Sequence, residues 1–179
     1  MRLFVALNFS ESFRARILAV QSDLRRLSRP APGRRINWTR EENLHLTLAF
    51  IGEQKSPSEA EKALGEVRCR PFTLTAGKPF LLGSVCCLGL GGTEGGELSA
   101  LVSSVRDALG SHGVPFDPKP FRAHITLARE YRGPLPPLPD FAPEGPVERI
   151  GEFALMLSDR DGENGRLRYT PLSVFPLYE

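Results

Sequence analysis

Two histidines in this sequence occur in the same short frame, and they are the residues best suited to do chemistry. The frame reads histidine, apolar residue, threonine, leucine, and its two copies are His45-Leu46-Thr47-Leu48 and His124-Ile125-Thr126-Leu127. The chain contains three histidines, so two of them share this frame. A lone histidine on a strand is usually a packed or surface residue, and threonine is common on strands because it is β-branched. The repetition favours a paired function.

The alternation of side chains along a strand predicts what each copy presents. Both copies lie in apolar runs typical of strands, where alternate side chains share a face. His45 and Thr47 are therefore expected on one face of the first strand, and His124 and Thr126 on one face of the second. Phe50 is expected on the face away from His45. If the two strands face each other, two imidazoles and two hydroxyls surround one point.

This set of groups suits the cleavage of a phosphodiester. A neutral imidazole can take a proton from water as it attacks phosphorus, and an imidazolium can protonate the departing ribose oxygen. The threonine hydroxyls can donate hydrogen bonds to the non-bridging oxygens, which carry negative charge through the transition state. The scheme requires no metal and no cofactor. The residues alone leave open which histidine gives the proton.

The elements that must position these residues are short strands and three amphipathic helices. The first helix is predicted to begin after Ser10, a suitable N-cap, and to end at the proline and glycine break of residues 29–33. The second is predicted from a capping box at residues 56–59, with Pro57 as its first residue, and the third over residues 97–112, ended by Gly113. Strands are predicted over residues 3–9, 36–38, 44–51, 72–76, 85–90, 123–129, 149–157 and 166–177, with a proline-rich loop at 131–146 and a turn at 161–165. Because strands and helices do not alternate strictly along the chain, the pattern favours an α+β fold with antiparallel sheet.

Length and composition are those of an ordinary globular chain. A length of 179 residues suits a single domain over residues 1–179, and no linker divides it. A net charge of +2 is too small to indicate a nucleic-acid partner. Three cysteines without the spacing of zinc or redox motifs predict reduced thiols in a cytoplasmic protein. No segment approaches the roughly 18 apolar residues of a membrane span, so we expect no membrane partner.

The two frames and their surroundings resemble the two-histidine (2H) phosphoesterase superfamily, in particular the bacterial and archaeal RNA 2′,3′-cyclic phosphodiesterases. The resemblance is carried by residues 2–7, 42–53, 121–129 and 168–172. It implies a bilobal fold with pseudo-two-fold symmetry, in which duplicated antiparallel sheets form two intertwined lobes around a central cleft, with helices outside. It also implies a monomeric enzyme that hydrolyses an RNA 2′,3′-cyclic phosphate to a 2′-phosphate end. Family members can also show RNA 2′,5′-ligase activity.

The resemblance also implies roles for individual residues. By the family pattern His45 is the proton donor and His124 the proton acceptor. Arg129 falls where relatives carry an arginine that contacts substrate, although strict alternation puts it on the face away from His124 unless the strand twists or bulges. This chain has Ala123 where relatives often have proline. It also lacks the arginine and tryptophan that relatives carry near residues 84–88, so no substrate contact is carried over for that strand.

Weaker signals and rival functions complete the set of hypotheses. An arginine cluster could hold an RNA backbone or form a solvated surface; its members are Arg25, Arg26, Arg29, Arg34, Arg35 and Arg40. Trp38 and Phe50 could stack on a base, although core packing suits both, and His112 is expected to be structural, at a helix C-terminus. The rivals are a 2′,5′-RNA ligase or another cyclic-nucleotide phosphodiesterase of the same fold, and a non-catalytic nucleotide- or RNA-binding module. A zinc hydrolase fits poorly, because the frames lack acidic or cysteine ligands.

Overall fold

Nine strands, three α-helices and one 3₁₀ turn make up the part of the chain that the structure describes. The structure is a computed structural model, and it describes residues 1–29, 35–92, 96–137, 147–160 and 165–178. The strands are β1 (Arg2–Leu7), β2 (Asn37–Trp38), β3 (Leu46–Glu53), β4 (Phe72–Leu82), β5 (Val85–Gly91), β6 (Ile125–Arg129), β7 (Glu148–Ile150), β8 (Glu152–Arg160) and β9 (Leu167–Pro176). The helices are α1 (Glu11–Leu27), α2 (Ser58–Leu64) and α3 (Glu97–Ser111), and the 3₁₀ turn spans Glu41–Asn43. The predictions for residues 30–34, which include Arg34, for residues 138–146 and for residues 161–164 lie outside the described residues.

The strands form two antiparallel sheets, which confirms the predicted α+β fold. The first sheet has the order β3-β1-β8-β9 and the second the order β2-β6-β5-β4-β7. Strand β1 occupies the interior of the first sheet because its residues are apolar on both faces. Leu3, Val5 and Leu7 belong to the main core, whereas Phe4 and Ala6 lie in a smaller apolar cluster on the opposite face.

Each of the two long helices follows a strand of one sheet and contacts a strand of the other sheet. Helix α1 follows β1 of the first sheet but contacts β4 of the second, and α3 follows β5 of the second sheet but contacts β3 of the first. The buried Gln21 of α1 donates from Nε2 to the carbonyl oxygens of Thr39 at 2.8 Å and Leu127 at 3.0 Å. One core cluster therefore spans both sheets. None of the described helices is long and apolar enough to cross a membrane.

The predicted helix ends are confirmed for α1 and α3 and wrong for α2. The Oγ of Ser10 accepts from the amide of Phe13 at 3.3 Å, as expected of an N-cap, and Gly113 follows α3 with φ of 69°. Helix α2 has no capping box, since it begins at Ser58 and no side chain caps it. The Oγ of Ser56 instead accepts from the amide of Ser58 at 3.2 Å, only two residues on, which forms a local turn.

Two strand predictions differ from the structure. The single strand predicted over residues 149–157 is two strands that meet at Gly151, where β7 pairs with β4 in the second sheet and β8 pairs with β1 in the first. The chain thus passes from one sheet to the other at a glycine. Strand β4 continues to Leu82, well beyond residue 76, and its pairing with β5 resumes after an irregularity between Ala76 and Pro79. A Cβ at Gly77 would lie 3.0 Å from the backbone of Gly89, so this close approach requires glycine.

Candidate active site

The two repeated histidines are held in the same way. Each lies directly before its strand, His45 before β3 and His124 before β6. In each, Nδ1 is 2.7 Å from the carbonyl oxygen two residues earlier, that of Asn43 or Arg122. A carbonyl oxygen only accepts hydrogen bonds, so Nδ1 donates and carries a proton in both rings. Nε2 is therefore the atom with which each neutral ring can exchange a proton.

A bulge in β3 changes which side chains share the face of His45. In the pairing with β1, Thr47 and Ala49 oppose consecutive residues, so Leu48 is an extra residue. An extra residue reverses the alternation beyond it, which places Phe50 on the same face as Thr47. There it packs against the smaller apolar cluster of that face. The prediction that Phe50 faces away from His45 is therefore wrong.

Strand β6 contains the same bulge at the same place in its frame. Thr126 and Ala128 oppose consecutive residues of β5, so Leu127 is the extra residue. Arg129 consequently lies on the face of Thr126 and His124. The bulge that Arg129 needs in order to reach the cleft is therefore present. The burial of the two strands repeats as well, since two consecutive buried residues follow the threonine in both.

His45 packs against two aromatic rings of the first sheet, which also contact each other. The ring centroids of Phe4 and Tyr169 are 5.0 and 4.9 Å from that of the imidazole, and the Tyr169 ring is perpendicular to it. The Oγ1 of Thr47 is 3.0 Å from Nε2 of His45. Because Nδ1 carries the proton, Nε2 of the neutral ring accepts this bond from the threonine hydroxyl.

This environment lowers the pKa of His45 below its ordinary value of 6.5. Burial is the main cause, and the carbonyl of Asn43 partly offsets it by favouring the charged ring. The positive charges of Arg129 and His124 lower the pKa further. His45 is therefore neutral at pH 7 in the ligand-free protein. The same coupling brings His124 and Arg129, from the second sheet, into one electrostatic site with His45.

Asn43 links the imidazole of His45 to the start of β9, which carries Tyr169. Its side chain is buried, donates from Nδ2 to the carbonyl of Leu167 at 2.9 Å and accepts from the amide of Tyr169 at 3.2 Å. Its own carbonyl holds Nδ1 of His45. One residue thus fixes both the imidazole and the tyrosine ring packed against it.

A cavity of about 390 Å³ lies beside Thr126 and Tyr169. Thr126 and Arg129 line it from β6, Tyr169 lines it from β9 of the first sheet, and Asn43 lines it from the 3₁₀ turn. Arg129 also acts on Tyr169, whose pKa is raised by burial and partly restored by the positive charges of Arg129 and Arg2. The cavity therefore lies where the two sheets meet.

Asn43, Phe4 and Tyr169 were not among the predicted site residues. All three lie in segments that resemble the family, and that resemblance is the only signal for them in the sequence. The residue type of Asn43 does not by itself predict its role, because that role depends on contacts with β9.

The weaker candidates have mainly structural surroundings. Trp38 pairs with the buried Ala128, packs against the main core and has the guanidinium of Arg25 at 5.2 Å from its ring centroid, which supports the core-packing interpretation. Several arginines of the cluster make local contacts, such as Arg40 with Glu42. His112 caps α3, and its Nε2 lies 3.0 Å from a carboxylate oxygen of Glu66, as expected of a structural histidine.

The described cysteines are free thiols. Burial raises the pKa of Cys86 to about 12 and that of Cys87 to about 11, so both are protonated. Within the described ranges no group of three or more histidine, cysteine, aspartate or glutamate residues is placed to hold a metal ion.

Comparisons with known proteins place this geometry in a family. Residues 8–84 match the family model described as LigT like phosphoesterase. An RNA 2′,3′-cyclic phosphodiesterase of Archaeoglobus fulgidus is 32% identical over 158 residues, which cover 86% of this chain and 85% of the relative. One from Escherichia coli is 38% identical over 144 residues, with 76% and 77% covered. The crystal structure of Escherichia coli LigT in its apo form superposes with a TM-score of 0.76 and 31% identity, over 99% of this chain and 98% of that one. The chain therefore belongs to the LigT-like two-histidine phosphoesterases.

Proposed function

We propose that this chain hydrolyses RNA 2′,3′-cyclic phosphate ends to 2′-phosphate ends, with His45 as proton donor and His124 as proton acceptor. The observation that carries the proposal is the repeated arrangement of the two histidines. Each is anchored through Nδ1 to a carbonyl two residues earlier, with a threonine on the same face. The relatives named as RNA 2′,3′-cyclic phosphodiesterases support the substrate class.

The reaction follows from these positions. Nε2 of His124 takes a proton from water as the water oxygen bonds to phosphorus, and the bond from phosphorus to the ribose 3′ oxygen breaks. Nε2 of His45 donates a proton to that oxygen, which leaves a 3′ hydroxyl and a 2′-phosphate. Thr47, Thr126 and Arg129 hold the non-bridging oxygens.

Proton donation requires His45 to be charged when substrate is bound, although the ring is neutral in the free protein. The anionic phosphate favours the imidazolium and offsets the repulsion from Arg129. Protonation of Nε2 removes the lone pair that accepts from Thr47, so this hydrogen bond breaks and the Nε2 proton can face the ribose oxygen. The hydroxyl proton of Thr47 then becomes available to a phosphate oxygen. Substrate binding is thus coupled to proton uptake.

We further propose that residues 1–179 form one domain of two intertwined lobes, and that the protein is a cytoplasmic monomer. The single core cluster shared by both sheets supports one domain. The free, buried thiols suit a reducing compartment.

The test is turnover of a nucleoside 2′,3′-cyclic phosphate with and without a chelator, with the product identified. We expect chelator-resistant formation of the 2′-phosphate, and a loss of about 10²- to 10⁴-fold in His45→Ala and in His124→Ala. His112→Ala is the matched control and should keep wild-type activity, since His112 contacts Glu66 at a helix end. Binding without turnover would favour the non-catalytic module, and loss with chelator a metal enzyme. Unchanged activity in either motif variant would contradict the proposed mechanism.

A further inference from the structure

Four arginines line the cavity beside Thr126. Arg129 belongs to β6, Arg40 follows β2, Arg160 ends β8 and Arg166 directly precedes β9. Among the described residues that line the cavity there is no aspartate or glutamate. The lining is therefore strongly positive.

This positive charge exceeds what the reacting phosphate needs. A cyclic phosphate diester carries one negative charge, and Arg129 with the charged histidine already faces it. Arg40 is paired with Glu42. Among the described residues that line the cavity, Arg160 and Arg166 then remain as an excess of two positive charges.

The two remaining arginines have donors to spare. Arg160 donates from Nη1 to the carbonyl of Gly165 at 2.8 Å, which uses one of its five N–H groups. Arg166 is exposed and makes no hydrogen bond or ion pair with any residue in the described ranges. Guanidinium groups bind phosphate oxygens well, because their N–H groups match the oxygens in pairs.

The cavity is large enough to hold more than one phosphate group. Its volume of about 390 Å³ lies within the range of small-molecule sites. Besides the arginines, its lining includes Asn37 and Tyr169, which suit the polar edges of a nucleoside. A nucleoside placed here would carry its 5′ oxygen away from the reacting phosphate.

We infer that Arg160 and Arg166 form a second phosphate site, which holds the phosphate on the 5′ side of the terminal nucleoside. The inference rests on the proposed function, because it extends the same substrate by one phosphate. RNA ends carry this phosphate at every internucleotide link, whereas a simple nucleoside 2′,3′-cyclic phosphate lacks it. The site therefore makes the protein selective for polynucleotide ends.

The first test is the binding of two ligands that cannot be cleaved, a nucleoside 3′-phosphate and the matching 3′,5′-bisphosphate. By titration calorimetry at low salt, the wild-type protein should bind the bisphosphate about tenfold more tightly, the effect of one charge-assisted contact. Arg166→Gln should remove most of this preference, and so should Arg160→Gln. Thermal unfolding shows whether each variant is folded, and Arg166→Gln is the safer one because Arg160 also holds Gly165.

Arg168→Gln is the matched control, since it removes the same charge from β9 at a residue that does not line the cavity. It should keep the tenfold preference. Equal losses in Arg168→Gln and Arg166→Gln would assign the preference to overall charge and overturn the site. Raising the salt from about 50 to about 200 mM should also reduce the preference, because a second phosphate contact adds to the salt dependence.

Turnover of nucleoside 2′,3′-cyclic phosphates with and without a 5′-phosphate separates this inference from the proposed function. If neither is hydrolysed but Arg166→Gln abolishes the bisphosphate preference, the second phosphate site stands and the proposed function is wrong. If both are hydrolysed with equal kcat/KM and the two ligands bind equally, the second phosphate site is wrong and the proposed function stands. A higher kcat/KM for the 5′-phosphorylated substrate, reduced in Arg166→Gln, supports both.

Discussion

Replacing Asn43 by alanine removes the two hydrogen bonds that hold the start of β9 against the imidazole of His45. The substitution leaves the carbonyl of Leu167 and the amide of Tyr169 without their partner. A buried backbone group left unpaired costs about 1–3 kcal/mol. Leu167 is 39% exposed, so its carbonyl can turn to water, and the Tyr169 amide carries most of the penalty. We expect Asn43→Ala to lower the free energy of unfolding by about 2–3 kcal/mol.

The catalytic effect should be separable from this loss of stability. Nδ1 of His45 binds the main-chain carbonyl of residue 43, so its anchor survives the substitution. The Tyr169 ring, 4.9 Å from the imidazole, loses its fixed position. Misplacement of a catalytic group costs up to about 10²-fold in rate, so we expect kcat to fall about 10- to 100-fold while KM changes less.

Urea unfolding and steady-state kinetics on a nucleoside 2′,3′-cyclic phosphate measure the two effects. Asn8→Ala is the matched control, because Asn8 is exposed and its only described hydrogen bond is a 3.6 Å contact with the sulfur of Met156. It should remain within about 0.5 kcal/mol of wild type. If Asn43→Ala is equally stable and retains its kcat, ring packing alone holds Tyr169, and the role given to Asn43 is wrong.

Two further predictions follow from buried polar groups. The pKa of His45 is lowered in the free protein, so its protonated form is lost as pH rises through a value below 6.5, and kcat/KM should fall there. The fall in kcat should lie at higher pH, because bound phosphate restores the proton to His45. Coincident limbs, or a limb retained in His45→Ala, would refute the assignment of His45 as acid. In Gln21→Glu a carboxylate faces the carbonyls of Thr39 and Leu127, so unfolding free energy should fall by about 3 kcal/mol in urea at pH 7 and recover partly at acid pH. Gln21→Leu, which lacks the charge, should show no such pH dependence.

The shared face of each histidine and its threonine follows from a local period in the sequence. A spacing of two places His45 beside Thr47 and His124 beside Thr126, and no distant part of the chain is needed to see it. The α+β class follows in the same way from the order of elements.

The bulges mark the limit of that reasoning. Strict alternation puts Phe50 on the wrong face and Arg129 on the right one only if the strand bulges, because the extra residues Leu48 and Leu127 are ordinary leucines in an apolar run. What makes each of them extra is its pairing with the neighbouring strand, which the sequence does not state. Asn43 was missed for a similar reason, since its partners are backbone groups of β9.

The strand order of the first sheet has a consequence for how the chain acquires its fold. Strand β1 is central there, but its neighbour β8 begins about 145 residues later, which ribosomes at about 5–20 residues per second deliver after roughly 7–30 s. Until then β1, apolar on both faces, has an open edge and can pair with other chains. Such distant pairing also slows folding, because a long loop must close before any contact forms. The imidazole of His45 gains its second ring contact only when β9 docks, so the surroundings of His45 are completed last, as the non-local sheet closes.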